Sequence, residues 1–176
     1  DYYSFAGKKG QRIVITCLTA SIDSRLDPEL SVIGPTGKKL AHKDPVPLAD
    51  GLLDITLPDD GDYLVRLNKF TYTAGSAEYF YRLNIALAPH IDAIHPTMIE
   101  PGKAAQITLY GRNLPGGKPD PKSVINGQVL DTLTVTVTAP GDPASLDQLK
   151  YSGLTTPLVG TLDGFEYRLA GPTGIS

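Results

Sequence analysis

The chain has 176 residues, 41% of them hydrophobic, and a formal net charge of -3. That apolar content is low for a globular chain yet too high for disorder, so a folded protein is expected. The slightly acidic balance gives no electrostatic footprint for nucleic acid or for an anionic membrane surface, and both are discounted as partners.

The 18 glycines and 15 prolines are scattered between apolar runs, a pattern of many short strands joined by tight turns. Cys17 is the sole cysteine, which excludes an internal disulfide or a thiolate metal cluster without excluding export. No apolar run approaches the roughly 20 residues of a membrane-spanning helix, and no basic-then-apolar leader opens the chain. A soluble piece of a longer polypeptide is expected, with no membrane insertion. A change of composition near Pro89 suggests two domains, 1–88 and 89–176.

The chain is expected to be extended from Tyr2. Arg12 to Leu18 is β-branched and short, a strand buried on at least one face, with Cys17 in phase with Ile13 and Ile15 as a small core residue. Leu30 to Ile33, the turn Gly34-Pro35-Thr36-Gly37 and the arm Lys38 to Ala41 read as a hairpin. Leu52 to Leu57 is followed by Pro58-Asp59-Asp60-Gly61-Asp62, a dense turn signal in which Gly61 is expected to take positive φ. Tyr63 to Leu67 and Tyr79 to Ile85 both alternate with period two, and they are expected to pair as an antiparallel hairpin with a long loop. Tyr63, directly after Asp60-Gly61-Asp62, suggests a tyrosine corner, its hydroxyl tied to nearby backbone at a sandwich edge.

Beyond Ala88-Pro89, Ile91 to Pro96 and Ala105 to Gly111 flank a turn at Glu100 to Lys103. Asn113 to Gly117 reads as a loop. Thr132 to Thr138 alternates cleanly, turning Leu133, Val135 and Val137 toward a core. The last expected strand is Phe165 to Leu169, and the one helical turn expected is Ala144 to Leu149.

The first half of the chain resembles the bacterial pre-peptidase C-terminal domain. The residues that carry the likeness are Asp1-Tyr2-Tyr3-Ser4-Phe5, Gly10-Gln11-Arg12-Ile13, Leu26-Asp27-Pro28-Glu29-Leu30, Gly37 to Ala41, Asp60-Gly61-Asp62-Tyr63 and Tyr81-Arg82-Leu83. The resemblance implies a jelly-roll-like β-sandwich attached to exported bacterial proteins, where it assists secretion, is removed, or binds substrate, in some relatives collagen with calcium. The second half resembles an immunoglobulin-like domain of the plexin and transcription-factor type, through Ile94-His95-Pro96, Glu100-Pro101-Gly102, Ile107-Thr108-Leu109 and Gly111-Arg112-Asn113-Leu114. The expected architecture is therefore all-β: a jelly-roll-like sandwich followed by a smaller immunoglobulin-like sandwich.

Catalysis finds little support. Gly-x-Ser-x-Gly, His-Glu-x-x-His and the phosphate-cradling glycine motifs are absent. His42 is expected as a solvated turn residue, and His90 and His95 are spaced to project to opposite faces of a strand. Two candidate sites stand out. Asp59, Asp60 and Asp62 offer hard oxygen ligands that suit calcium, although no cofactor is required. Asp23, Asp27, Asp44 and Asp54 could join them only through the fold. Phe70, Tyr72, Tyr79 and Tyr81 supply rings that either pack on the core or stack on sugars or line a peptide groove; the absence of Trp weighs against sugar. The expected function is a non-catalytic accessory module of a secreted or cell-surface bacterial protein. Its expected partners are polysaccharide, an extracellular protein or neighbouring domains of the parent, and the alternative is a purely structural spacer.

Overall fold

Alternating apolar residues in short β-branched runs leave each strand with one oily face, and two such sheets bury those faces against each other. The computed structural model describes residues 1–69, 75–148, 150–155, 158–163 and 167–176, with the backbone alone at 147, 148, 150–155 and 158–163. It divides into two compact units, Asp1–Ala88 and Pro89–Ser176.

The strands of the first unit are β1 (Tyr2–Gly7), β2 (Arg12–Leu18), β3 (Pro28–Ile33), β4 (Lys39–Lys43), β5 (Gly51–Thr56), β6 (Gly61–Lys69) and β7 (Arg82–Ala86). They form an antiparallel four-stranded sheet of order β1-β6-β3-β4 and a three-stranded sheet of order β5-β2-β7. Every connection except the β3–β4 hairpin passes from one sheet to the other, the wrapping of a jelly-roll-like sandwich. Ile13, Ile15 and Cys17 of β2 and Leu53 of β5 meet Leu30 and Val32 of β3 and Tyr63, Val65 and Leu67 of β6 in one buried cluster. Each fully buried aliphatic side chain there contributes about 1.5–3 kcal/mol of transfer free energy.

One expected pairing is wrong. Tyr63 to Leu67 and Tyr79 to Ile85 do not form a hairpin: β6 pairs with β1 and β3, whereas β7 pairs with β2 in the opposite sheet. The long connection carries the chain across the sandwich, and Tyr79, Phe80 and Tyr81 precede β7 in irregular backbone. Period-two alternation identifies half-buried strands but says nothing about which strand lies beside which.

Two carboxylates tie the three-stranded sheet to its surroundings. Arg12 Nε donates to Asp54 Oδ2 at 2.7 Å across β2 and β5, and Asp54 is 5% exposed. Before β5, the Asp50 carboxylate accepts from the amides of Thr19 at 2.7 Å and Ser21 at 3.1 Å, pinning the short 3₁₀ turn Ala20–Ile22.

In the second unit, β8 (His90–His95), β9 (Ala104–Arg112), β10 (Lys118–Ile125) and β11 (Gln128–Thr138) form an antiparallel sheet of order β10-β11-β9-β8. Helix α1 (Pro143–Gln148) follows, then the ribbons β12 (Lys150–Thr155) with β13 (Leu158–Asp163) and β14 (Ala170–Gly171) with β15 (Gly174–Ile175). Ile107, Leu109, Leu114 and Val137 form the core, with Leu133 and Val135 packed against it as the alternation of β11 predicts. Thr134, Thr136 and Thr138 lie on the exposed side. Arg112, 1% exposed, is ion-paired with Asp92.

Two further expectations change. Tyr167 to Leu169 lie in no strand, while Phe165 and Glu166, like Leu149 of the expected helical turn, lie outside the described residues. Strand β10 goes unrecognised in the sequence because Pro119 and Pro121 interrupt its pattern; its place at the sheet edge is where missing ladder donors are tolerated.

Candidate functional site

The end of β6 and the segment preceding β7 enclose an open groove of about 270 Å³ in the first unit. Leu26 and Leu67 supply apolar lining, and Asp1, Asn68 and Lys69 supply polar groups beside Tyr79 and Tyr81. The Lys69 ammonium sits 3.8 Å from the centroid of the Tyr79 ring, a cation–π contact. The Tyr81 hydroxyl is hydrogen-bonded to the Asp1 carboxylate and to the Tyr3 hydroxyl. Tyr3 and Tyr81 also meet edge to face, with centroids 6.5 Å apart. Burial first, and then the adjacent Tyr3 hydroxyl, push the Tyr81 phenol above its usual range, so it stays protonated as a donor.

Tyr79 and Tyr81 thus share the groove and also pack against the core cluster, while Phe80 between them is exposed. Phe70 and Tyr72 lie outside the described residues.

Asp59, Asp60 and Asp62 are all exposed. The Asp59 backbone carbonyl accepts a 2.6 Å bond from the Tyr63 hydroxyl, and Tyr63 is fully buried; this is the expected tyrosine corner. Asp60 Oδ1 accepts from the Lys9 amide at 2.7 Å. Gly61 has φ +151°, and a Cβ there would come within 2.6 Å of Pro35, so the turn needs glycine for both conformation and space. The other acidic residues are dispersed: Asp27 caps the Leu48 amide, Asp44 meets His42, and Asp54 pairs with Arg12. Asp23 takes left-handed backbone after the 3₁₀ turn. Among the described residues no group of three or more His, Cys, Asp and Glu side chains is arranged to hold a metal ion.

His42 is solvent-exposed, as expected, but it stands on a strand and not in a turn. It lies on β4, its Nδ1 is 3.0 Å from Ser31 Oγ and its Nε2 is 3.0 Å from Asp44 Oδ1. Glu29, next to Ser31 on the same strand face, accepts from Arg66 at 3.1 Å. The Ser31–His42–Asp44 chain has the residue types of a nucleophilic relay, but Ser31 is 1% exposed between β4 and β6. Its hydroxyl offers no approach to an acyl carbon, and the row acts as a polar brace across the sheet. Strand register alone brings these residues together: Ser31 lies opposite His42 on one side and Arg66 on the other.

Among the described residues no helix is long and apolar enough to cross a membrane. No curated protein and no solved structure matches the chain. Residues 1–69, which hold β1 to β6 and much of the groove, match the family model of the bacterial pre-peptidase C-terminal domain, a non-catalytic domain often found in exported bacterial proteins.

Proposed function

We propose that this chain is a non-catalytic accessory module of a secreted or cell-surface bacterial protein. In this reading the first unit binds polysaccharide or an extracellular protein through the groove at Tyr79 and Tyr81, and the second unit, immunoglobulin-like, is its rigid neighbour. The observation that carries the proposal is the groove itself. Tyr79 and Tyr81 line it together with the apolar Leu26 and Leu67 and the polar Asp1, Asn68 and Lys69. Apolar lining supplies contact area, and the few polar groups fix orientation. The reading requires no metal.

The test is an array of glycans and extracellular matrix proteins probed with the chain and two variants. Tyr79→Ala should abolish a hit by removing the ring that carries Lys69, and Tyr81→Phe should weaken it by removing one hydroxyl. Binding that survives both variants would refute the groove as the site.

A second reading, a structural spacer, draws on the packing of both tyrosines against the core and on the internal bonds of the Tyr81 hydroxyl. It predicts silence on every array.

A further inference from the structure

The hairpin between β10 and β11 turns on two residues. Ile125 pairs with Gln128 and Val124 with Val129, so Asn126 and Gly127 alone form the loop. Both take left-handed backbone, with φ +52° and +76°, as in the type I′ turn whose twist matches that of the flanking strands. Every residue from Val124 to Val129 is exposed, and a Cβ added at Gly127 would meet nothing within 4 Å. The closing bond of such a turn joins its first carbonyl to its last amide, Ile125 to Gln128, which leaves the Gly127 amide outside the ladder. A backbone nitrogen shielded by no side chain therefore faces water directly after an asparagine carboxamide.

The other asparagines are placed differently. Asn68 and Asn84 stand within β6 and β7 and precede Lys69 and Ile85, whose side chains crowd the amide that follows. Asn113 precedes Leu114, and the Leu114 amide is engaged by Asp131 Oδ2 at 3.3 Å.

We infer that Asn126 is a site of spontaneous isoaspartate formation in the folded chain, with water as the co-reactant. The Gly127 nitrogen, giving up its proton to base, attacks Cγ of Asn126. The N–Cγ bond forms, the Cγ–Nδ2 bond breaks and ammonia leaves, closing a five-membered succinimide. Water then adds to one of the two ring carbonyls and opens it. Opening at Cγ gives aspartate, whereas opening at the backbone carbonyl routes the main chain through Cβ and Cγ and gives isoaspartate. Either path exchanges a neutral amide for a carboxylate, and nothing is oxidised or reduced. The second path also adds one carbon to the main chain of a loop only two residues long, which works against the Val124–Val129 pairing.

The whole chain, kept folded at mildly alkaline pH and physiological temperature and sampled over weeks by peptide mass spectrometry, reads the reaction directly. The peptide that holds Asn126 should gain one dalton and become a substrate for an isoaspartate-specific methyltransferase, with ammonia released in step. Peptides that hold Asn68, Asn84 and Asn113 should remain unchanged over the same period. Asn126→Gln should end the modification at this position, because the larger ring it would need closes far more slowly. In amide NMR the modified fraction should show shifts at Val124 and Val129 and none in the first unit. An Asn126 that outlasts any of the other asparagines, or that reacts only after urea has unfolded the chain, would overturn the inference.

Discussion

At Tyr63 a single hydroxyl closes the edge of the first sandwich. The ring is fully buried, stacked on Phe5 with centroids 5.4 Å apart, and its oxygen reaches the Asp59 carbonyl four residues earlier. Tyr63→Phe keeps the ring and removes the bond, so thermal or denaturant unfolding should show a loss of about 1 kcal/mol, whereas a surface tyrosine such as Tyr2 should tolerate the same change. Cys17 provides a pH test. Burial, with a smaller contribution from the Asp50 charge, raises its thiol from 9.0 to about 12. The unfolded chain releases that proton first, so the stability contributed by the buried thiol is complete below pH 9 and is lost as the pH rises toward 12. A thiol reagent at pH 8 should label Cys17 only as the chain unfolds. Tyr63 and Cys17 are both legible in the sequence because local pattern sets them: one follows Asp-Gly-Asp, and the other keeps phase with Ile13 and Ile15. His42 is not legible, since its partner Ser31 is eleven residues away and becomes a neighbour only through strand register.

Strands are recognised where alternation is clean and missed where edge chemistry breaks it. Strand β2 takes the bounds expected of it, and β11 turns Leu133, Val135 and Val137 inward as its sequence implies. Strand β10, with prolines at two of its first four positions, has no such signature. Pairing is harder to read than existence. Strands β6 and β7 follow one another in sequence yet lie in different sheets, because the connection between them is long enough to cross the sandwich. Strands β8 and β9 also carry a buried charge that patterning does not reveal. Asp92, 6% exposed at its side chain, is ion-paired with the buried Arg112, so Asp92→Ala removes a carboxylate that offsets a buried cation. A loss of about 3–5 kcal/mol is expected in chemical denaturation, with a smaller loss for Asp92→Asn, which retains an acceptor. A cost below about 1 kcal/mol would mean the pair behaves as a surface ion pair.

For the whole molecule, the all-β class follows from composition and turn density, and the first unit realises it as two sheets around one core. The candidate site is legible in part. Tyr79 and Tyr81 do share a face, but their groove also takes Lys69 and Asn68 from the end of β6 and Asp1 from the start of the chain. Those contributions depend on β6 lying beside β1, which alternation cannot supply. The account stands on this groove as a binding surface, and titration of the isotope-labelled chain with a ligand found on the array, followed by amide NMR, tests it most directly. Saturable shifts centred on Lys69, Tyr79 and Tyr81, lost in Tyr79→Ala, are the predicted result. Shifts confined to the outer face around Ser31 and His42, or to the second unit, would contradict it.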